Sequence, residues 1–318
     1  MRIKRVSIGD IEFGDQRFCV SYFFLTDSLV MSIREVGLIY PPIVTLREKR
    51  YIPVSGWKRL LACRKLLLST IPVFICKEKD DLSVFRLAVF ENLATRKIGL
   101  IEKAEIVGKL IKFGEPKQKV MRKYLPLLGI PPTYDYFDLY LRISRLNKEE
   151  KRRVQKNGLH LRVVEGLVRF PSRERRLLFP MLPFLSQNKQ RELLEMVQEI
   201  SLKNGIAVED LFSSGEFKTV INSKNLSPVQ KAEKVNLLLK KKRFPLISAR
   251  LEAFESSKNK LAWPDGVRIS PTPFFEEKKV HVWFSFKTKK EYLKKLTGLR
   301  EASDRKFFTA FLESLSDE

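Results

Sequence analysis

A short apolar run, Tyr51-Ile52-Pro53-Val54-Ser55, stops at Gly56 and restarts as Trp57-Lys58-Arg59-Leu60-Leu61-Ala62, a basic segment of helix formers. A switch from β-type to helix-type residues at a glycine predicts a strand, a tight turn and a helix. The new helix opens with unpaired N–H groups and the positive end of its dipole, so its first turn suits an anion. Lys58 and Arg59 add two positive charges at that spot. A plain strand-to-helix connection with a solvated basic turn has the same local pattern, so the remainder of the chain must discriminate.

The flanking sequence predicts a small α/β unit around this stretch. Ile3, Val6, Ile8 and Ile11 suggest an opening strand and turn, ahead of the loop-like Gly14-Asp15-Gln16-Arg17. Leu29, Val30, Ile33 and Val36 recur at helical spacing between a capping Asp27 and a terminating Gly37. Pro41-Pro42 blocks further helix and feeds the strand Ile43-Val44-Thr45-Leu46, which Lys49-Arg50 turns back into Tyr51 to Val54. Leu60, Leu61, Leu67 and Leu68 predict a helix ending before Pro72, and Ile71 to Cys76 another strand. After Asp80-Asp81, the stripe Leu82, Phe85, Ala88, Val89 and Leu93 predicts a helix that carries Phe90-Glu91-Asn92-Leu93-Ala94-Thr95-Arg96 at its C-terminal end.

Charge narrows the partner. The 318 residues hold 61 Lys plus Arg against 37 Asp plus Glu, a formal net charge of +24. Such an excess calls for a polyanion, with nucleic acid ahead of an anionic membrane surface because no long apolar run or basic amphipathic N-terminus is present. A hydrophobic content of 44% supports folded cores rather than disorder. Met1-Arg2-Ile3-Lys4-Arg5 leads into alternating residues rather than the apolar core of a signal peptide, so a cytoplasmic location is expected. Cys19, Cys63 and Cys76 are odd in number without metal-type spacing, and are expected to be reduced and structural. His160 and His281 are too far apart in sequence to argue a metal pair.

The order of these features resembles the N-terminal domain of ParB/RepB partition proteins. The resemblance runs through the helix ending at Gly37-Leu38-Ile39, Pro41-Pro42-Ile43-Val44, Tyr51 to Ala62, Ile71-Pro72-Val73 and Glu91-Asn92-Leu93. It covers residues 1 to about 115 and continues more weakly to about 170. In that family a Gly-Glu-Arg-Arg motif and a later Glu-Asn-x-Gln-Arg motif surround the triphosphate and metal of bound CTP, and the nucleotide gates a DNA-sliding clamp. The resemblance therefore implies a nucleotide site of Gly56, Trp57, Lys58, Arg59, Glu91, Asn92 and Arg96. It implies CTP and Mg2+ as cofactors, with Glu91 and Asn92 at the metal. Trp57 stands where the family has a glutamate, Leu61 replaces a later basic residue, and Ala94-Thr95 replaces Gln-Arg with Arg96 displaced by one. Losing a carboxylate and an arginine weakens metal and transition-state stabilisation, so binding with poor hydrolysis is expected. The same fold resembles sulfiredoxin, whose reactive cysteine directly follows the turn glycine; Trp57 argues against that chemistry.

A second, helical unit is expected from about residue 98. Ile101, Ala104, Val107, Leu110 and Ile111 predict one helix, Lys117 to Tyr124 a second, Leu125 to Pro132 a tight turn, and Thr133 caps a third running to about Leu146. In the family this position holds a helix-turn-helix, which implies Thr133, Tyr134, Tyr136 and Tyr140 toward bases and Arg142 and Arg145 on phosphates. The aromatic residues serve equally as core, and Asp135 and Asp138 would repel phosphates if they faced outward. Lys148, Lys151, Arg152, Arg153 and Lys156 follow on a predicted helix, either a solvated face or a phosphate-tracking surface.

Toward the C-terminus, Ser213-Ser214-Gly215 and Asn222 to Asn225 look like a linker. Val267 to Ile269 and Val280 to Phe286 alternate as two strands, with helices at Lys289 to Leu296 and Asp304 to Leu315. The expected architecture is therefore α+β: a ParB-like α/β domain at 1–97, a helical DNA-binding domain at 98–215 and a small α+β domain at 223–318. By the resemblance the last dimerises the protein, the chain is nucleoid-associated, and a ParA-like ATPase is a partner. The competing function is an enzyme on the same N-terminal fold, a nucleotidase or a nuclease. Glu91 has no acidic companion in either motif, which weakens the nuclease reading.

Overall fold

Four short strands near the N-terminus form one sheet in the computed structural model, which describes residues 2–22, 26–261, 263–272, 275, 277 and 279–313. They are β1 (Arg2–Ser7), β2 (Ile43–Arg47), β3 (Arg50–Ser55) and β4 (Thr70–Cys76), in the order β1-β4-β2-β3. Only the β2–β4 pair is parallel. The β2–β3 hairpin turns through Glu48 and Lys49, both at positive φ (44° and 70°), the backbone that a two-residue hairpin requires. Helices α1 (Asp27–Val36) and α2 (Trp57–Lys65) cover the sheet, and Val6, Ile33, Val44, Leu60, Cys63, Ile71 and Val73 fill the space between. Helix α2 is shorter than the leucine pattern predicts. Leu67 adopts φ 55° and is 89% exposed, because the chain must reverse there to enter β4.

Helix α3 (Asp81–Thr95), capped by Asp80, packs against β3 and brings Glu91 to Arg96 to the end of that strand. The chain continues into α4 (Leu100–Lys112) and α5, which spans 117–127 as helical Lys117–Lys119, a π-turn Val120–Tyr124 and helical Leu125–Leu127. This helix passes through Pro126, where a turn was expected. The π-turn bonds the Leu125 N–H to the Val120 carbonyl, so the register already shifts where proline lacks a donor. Then come α6 (Tyr134–Ser144), α7 (Lys148–Lys156), α8 (Leu161–Leu167) and α9 (Ser172–Leu178). Two buried carboxylates hold these helices together. Glu115 pairs with Arg86 of α3 at 2.5 Å and Lys119 at 3.0 Å, and Glu150 with Arg175 of α9 at 2.7 Å.

The chain divides into two units, Met1–Phe179 and Pro180–Glu318. The second contains α10 (Gln187–Asn204), α11 (Val208–Ser213), α12 (Gly215–Asn222), α13 (Pro228–Arg243) and α14 (Pro245–Asn259). The basic run at the end of α13 is engaged in ion pairs: Lys240 with Glu192, Arg243 with Glu199 and Lys241 with Glu252. Strands β5 (Arg268–Pro271) and β6 (Val280–Trp283) pair antiparallel, followed by α15 (Lys289–Ser303) and α16 (Phe308–Glu313). Helix α15 runs past the expected end at Leu296 and through Gly298, where a Cβ would come within 2.5 Å of Pro264. The expected continuation of the last helix to Leu315 lies outside the described residues. The fold is α+β, with the middle of the chain all-helical.

Candidate functional site

Gly56 is the hinge on which the site is built. It lies at φ 81°, ψ 25° as the N-cap of α2, and a Cβ there would meet Pro42 Cβ at 2.8 Å and Pro42 Cα at 3.0 Å. Both the left-handed backbone and the close approach of the Pro41-Pro42 turn demand glycine. The turn aims the first N–H groups of α2 into a cleft of about 450 Å³, lined by Leu29, Tyr40, Ser55, Trp57, Lys58, Glu91 and Arg96 among others.

The two motifs meet across this cleft. Arg59 donates to Glu91 Oε1 at 3.2 Å and to the Tyr40 carbonyl at 2.9 Å, while the Ser55 hydroxyl donates to Glu91 Oε2. Asn92 donates to the Ala88 carbonyl at 2.8 Å and to Ser55 Oγ at 3.5 Å, and its own carboxamide oxygen accepts from Arg96 Nε at 2.9 Å. Arg96 spends its other nitrogens on Glu102 of α4 at 2.8 Å and on Ser21 Oγ at 3.0 Å. Lys58 is half-buried, and among the described residues its ammonium has no hydrogen-bond or ion-pair partner. Trp57 is 4% exposed, an indole packed where the motif that the loop resembles carries a carboxylate.

Ser55, Ser21, Tyr40 and Glu102 were not anticipated. Ser55 sits at the last position of β3 and is 1% exposed; its place directly before Gly56 was the one signal available in the sequence. Ser21 and Tyr40 reach the cleft from a loop and a turn, and Glu102 holds Arg96 from a later helix, placements that no local periodicity encodes. The loop before α1 is pinned by Lys109, which donates to the Gln16 and Cys19 carbonyls at 2.9 and 2.7 Å. Burial pushes the Lys109 ammonium below its ordinary range and the Cys19 thiol up to about 12. All three cysteines are buried free thiols.

These residues fit an anion better than a metal cage. The helix N-terminus, the unpartnered Lys58 and the adjacent Arg59 supply phosphate chemistry, and Leu29, Tyr40 and Trp57 supply an apolar wall. Among the described residues no cluster of three His, Cys, Asp or Glu side chains could hold a metal ion alone. A Mg2+ ion, which takes much of its shell from phosphates and water, would find one carboxylate here, Glu91; the Asn92 oxygen is held by Arg96.

The residues expected in a helix-turn-helix fall on two sides. Thr133 caps α6, accepting from the Tyr136 N–H. Tyr134 is exposed, with the Lys117 ammonium 4.0 Å from its ring centre, and Tyr136 is half-buried. Tyr140 is buried, so that position is core. Arg142 is exposed and paired with Asp138 at 2.7 Å; Arg145 is exposed without an ion-pair partner among the described residues. On α7, Arg152 and Arg153 face solvent beside Glu149. Lys151 turns inward instead, bonding the Ser144 carbonyl at 2.6 Å and Glu105 at 2.5 Å. No helix among the described residues is long and apolar enough to cross a membrane.

The ParB N-terminal domain family matches residues 25–93. The nucleoid occlusion protein of Shouchella clausii is 32% identical over 97 residues, 30% of this chain and 34% of that protein. The probable chromosome-partitioning protein ParB of Chlamydia muridarum is 29% identical over 158 residues, 46% of this chain and 54% of that protein. The solved structure of the C-terminally truncated chromosome-partitioning protein ParB from Caulobacter crescentus complexed with CTP-gamma-S is 20% identical. It covers 56% of this chain and 98% of that one, with a TM-score of 0.27, too low to bear on the arrangement. The chain thus spans about a third to a half of the length of these two curated relatives. The family match lies over the hairpin, the Gly56 turn and the Glu91 end of α3, so residues 25–93 of this chain are similar to a ParB N-terminal domain.

Proposed function

We propose that the chain is a DNA-binding protein of the chromosome- or plasmid-partition and nucleoid-occlusion type, whose N-terminal domain binds a nucleoside triphosphate, CTP by family resemblance, as a regulator of DNA engagement. The observation that carries the reading is the cleft itself. A left-handed glycine opens a helix N-terminus and Lys58, unpartnered among the described residues, toward Glu91 on a second helix, with an apolar wall beside them. Lys58, Arg59 and the first N–H groups of α2 would hold the phosphates, and Glu91 is the carboxylate that would hold a Mg2+ ion, which would neutralise phosphate charge. The absence of a carboxylate at Trp57 supports binding with little turnover. Arg96 touches both Asn92 in the cleft and Glu102 on α4, so a phosphate competing for Arg96 acts on the helices that carry α6. The net charge of +24 supports a DNA partner held by Arg142, Arg145, Arg152 and Arg153, with Tyr134 at the exposed start of α6. A homodimer in the cytoplasm, on the nucleoid and served by a ParA-like ATPase, completes the proposal.

Calorimetric titration with CTP, ATP and GTP, with Mg2+ and with and without duplex DNA, tests it. Binding of one nucleotide without turnover is expected. Rapid turnover moves the assignment to an enzyme, and no binding of any nucleotide removes the nucleotide from the proposal.

A further inference from the structure

Strand β6 carries two stacked aromatic rings in solvent. His281 and Trp283 lie two positions apart, with ring planes within 6° of parallel and centroids 5.2 Å apart. Both are exposed, Trp283 by 55%. The register sets Arg268 opposite Trp283 and Ser270 opposite His281, so alternation puts these four side chains on one face of the two-stranded sheet. Ile269, on the other face, is buried in a core with Phe254, Leu261 and Phe311. The outward face is therefore the one that the unit does not use for its own packing.

Its surroundings are cationic. Arg268, Lys287, Lys289 and Lys290 are exposed and have no ion-pair partner among the described residues. Phe286, which lies between β6 and Lys287 in sequence, is 52% exposed, its ring 4.7 Å from that of Tyr292. Exposed ring faces interleaved with unpaired cations are what an unstacked base and its phosphates require. Bases in a duplex bury their faces against one another and cannot use such rings. A second copy of this chain would bring the same cations against themselves, so charge complementarity favours a polyanion over self-association.

We infer that this sheet face binds single-stranded DNA, one base stacking on an outer face of the Trp283–His281 pair while Arg268, Lys287, Lys289 and Lys290 hold the backbone. The choice of DNA over RNA rests on the proposed function above; the site itself does not.

The test uses the intact chain and fluorescence anisotropy, with a thymidine oligonucleotide of about 20 nucleotides, its uridine counterpart and a duplex of about the same length. Trp283→Ala is expected to weaken single-strand binding about tenfold and leave duplex binding unchanged, while Trp283→Phe, which keeps a ring, retains most of the affinity. The double substitution Lys289→Glu and Lys290→Glu is expected to lower affinity and flatten its salt dependence. A parent chain that ignores the thymidine strand, or a Trp283→Ala chain that binds it as the parent does, overturns the inference. So does a change confined to oligomeric state in light scattering, which would make the face an interface between copies. Tighter binding of the uridine strand overturns the assignment to DNA. Loss of duplex binding alone, in the parent or in Arg145→Ala, bears on the proposed function and leaves this site standing.

Discussion

The Arg59 guanidinium donates to Glu91 at 3.2 Å, so the basic residue of the first motif and the carboxylate of the second are paired with each other across the cleft. Both side chains are about a fifth exposed, which limits the pair to roughly 1 kcal/mol. An arriving phosphate meets Lys58 first and must then share Arg59. Glu91→Gln removes the competing charge and is expected to raise Mg2+-free nucleotide affinity about fivefold, the equivalent of that energy. The same change abolishes any gain from Mg2+. Titrations with and without the metal check both; an affinity gain from Mg2+ that survives in the variant shows that Glu91 does not hold the ion.

Gly56→Ala forces a side chain into φ 81° and into contact with Pro42 at 2.8 Å. The expected cost is about 2 kcal/mol for the backbone alone, with more from the contact. Urea unfolding reports the loss. A variant as stable as the parent would mean that the turn relaxes freely and does not define the site.

Trp57→Glu tests why this loop lacks the carboxylate of the motif that it resembles. Trp57 is 4% exposed, so the substitution removes a packed indole and leaves a charge in its place, at a cost above about 3 kcal/mol. Trp57→Phe is expected to cost less than half as much. If Trp57→Glu unfolds at the parental urea concentration, the indole is not part of the packing.

Burial raises the Glu150 carboxyl, but the Arg175 guanidinium and the Asn147 N–H outweigh it and hold the group below its usual range. A depressed folded-state value adds stability above the unfolded value, near 4.5, and this is lost as pH falls through the folded value. Glu115 has the same sign: Lys119 and Arg86 outweigh its burial. Unfolding free energy is therefore expected to fall as pH drops below about 4.5, and Glu150→Gln to cost about 3 kcal/mol at pH 7 while flattening that acid slope. An unchanged slope in the variant assigns the acid sensitivity to other groups.

Arg145→Ala and Lys151→Ala separate DNA contact from architecture. Arg145 is exposed and unpaired among the described residues, so its loss is expected to weaken duplex binding across all sequences and reduce the salt slope by about 1. Lys151 ties α7 to Ser144 and Glu105, so its loss is expected to lower the melting temperature. A Lys151→Ala chain with parental stability and weakened DNA binding would return Lys151 to the DNA surface.

Local order was legible in the residues because propensity and breakers act over a few positions. Pro41-Pro42, the Lys49 turn, Gly56 and Asp80 punctuate the first hundred residues, and β2, β3, α1 and α3 lie where they point. The pairing of Gly56 to Arg59 with Glu91 and Asn92 was legible as motif order. What the tertiary structure decided is which of these groups remain available. Among the described residues Lys58 stays unpartnered while Arg59, Asn92 and Arg96 are taken by Glu91, Ser55, Glu102 and Ser21, residues that lie far apart in the chain. Likewise Lys151 reads as one cation in a basic run until the helices close around it. Charge in a sequence counts ions; only packing determines which of them still face a ligand, because burial makes an internal partner obligatory.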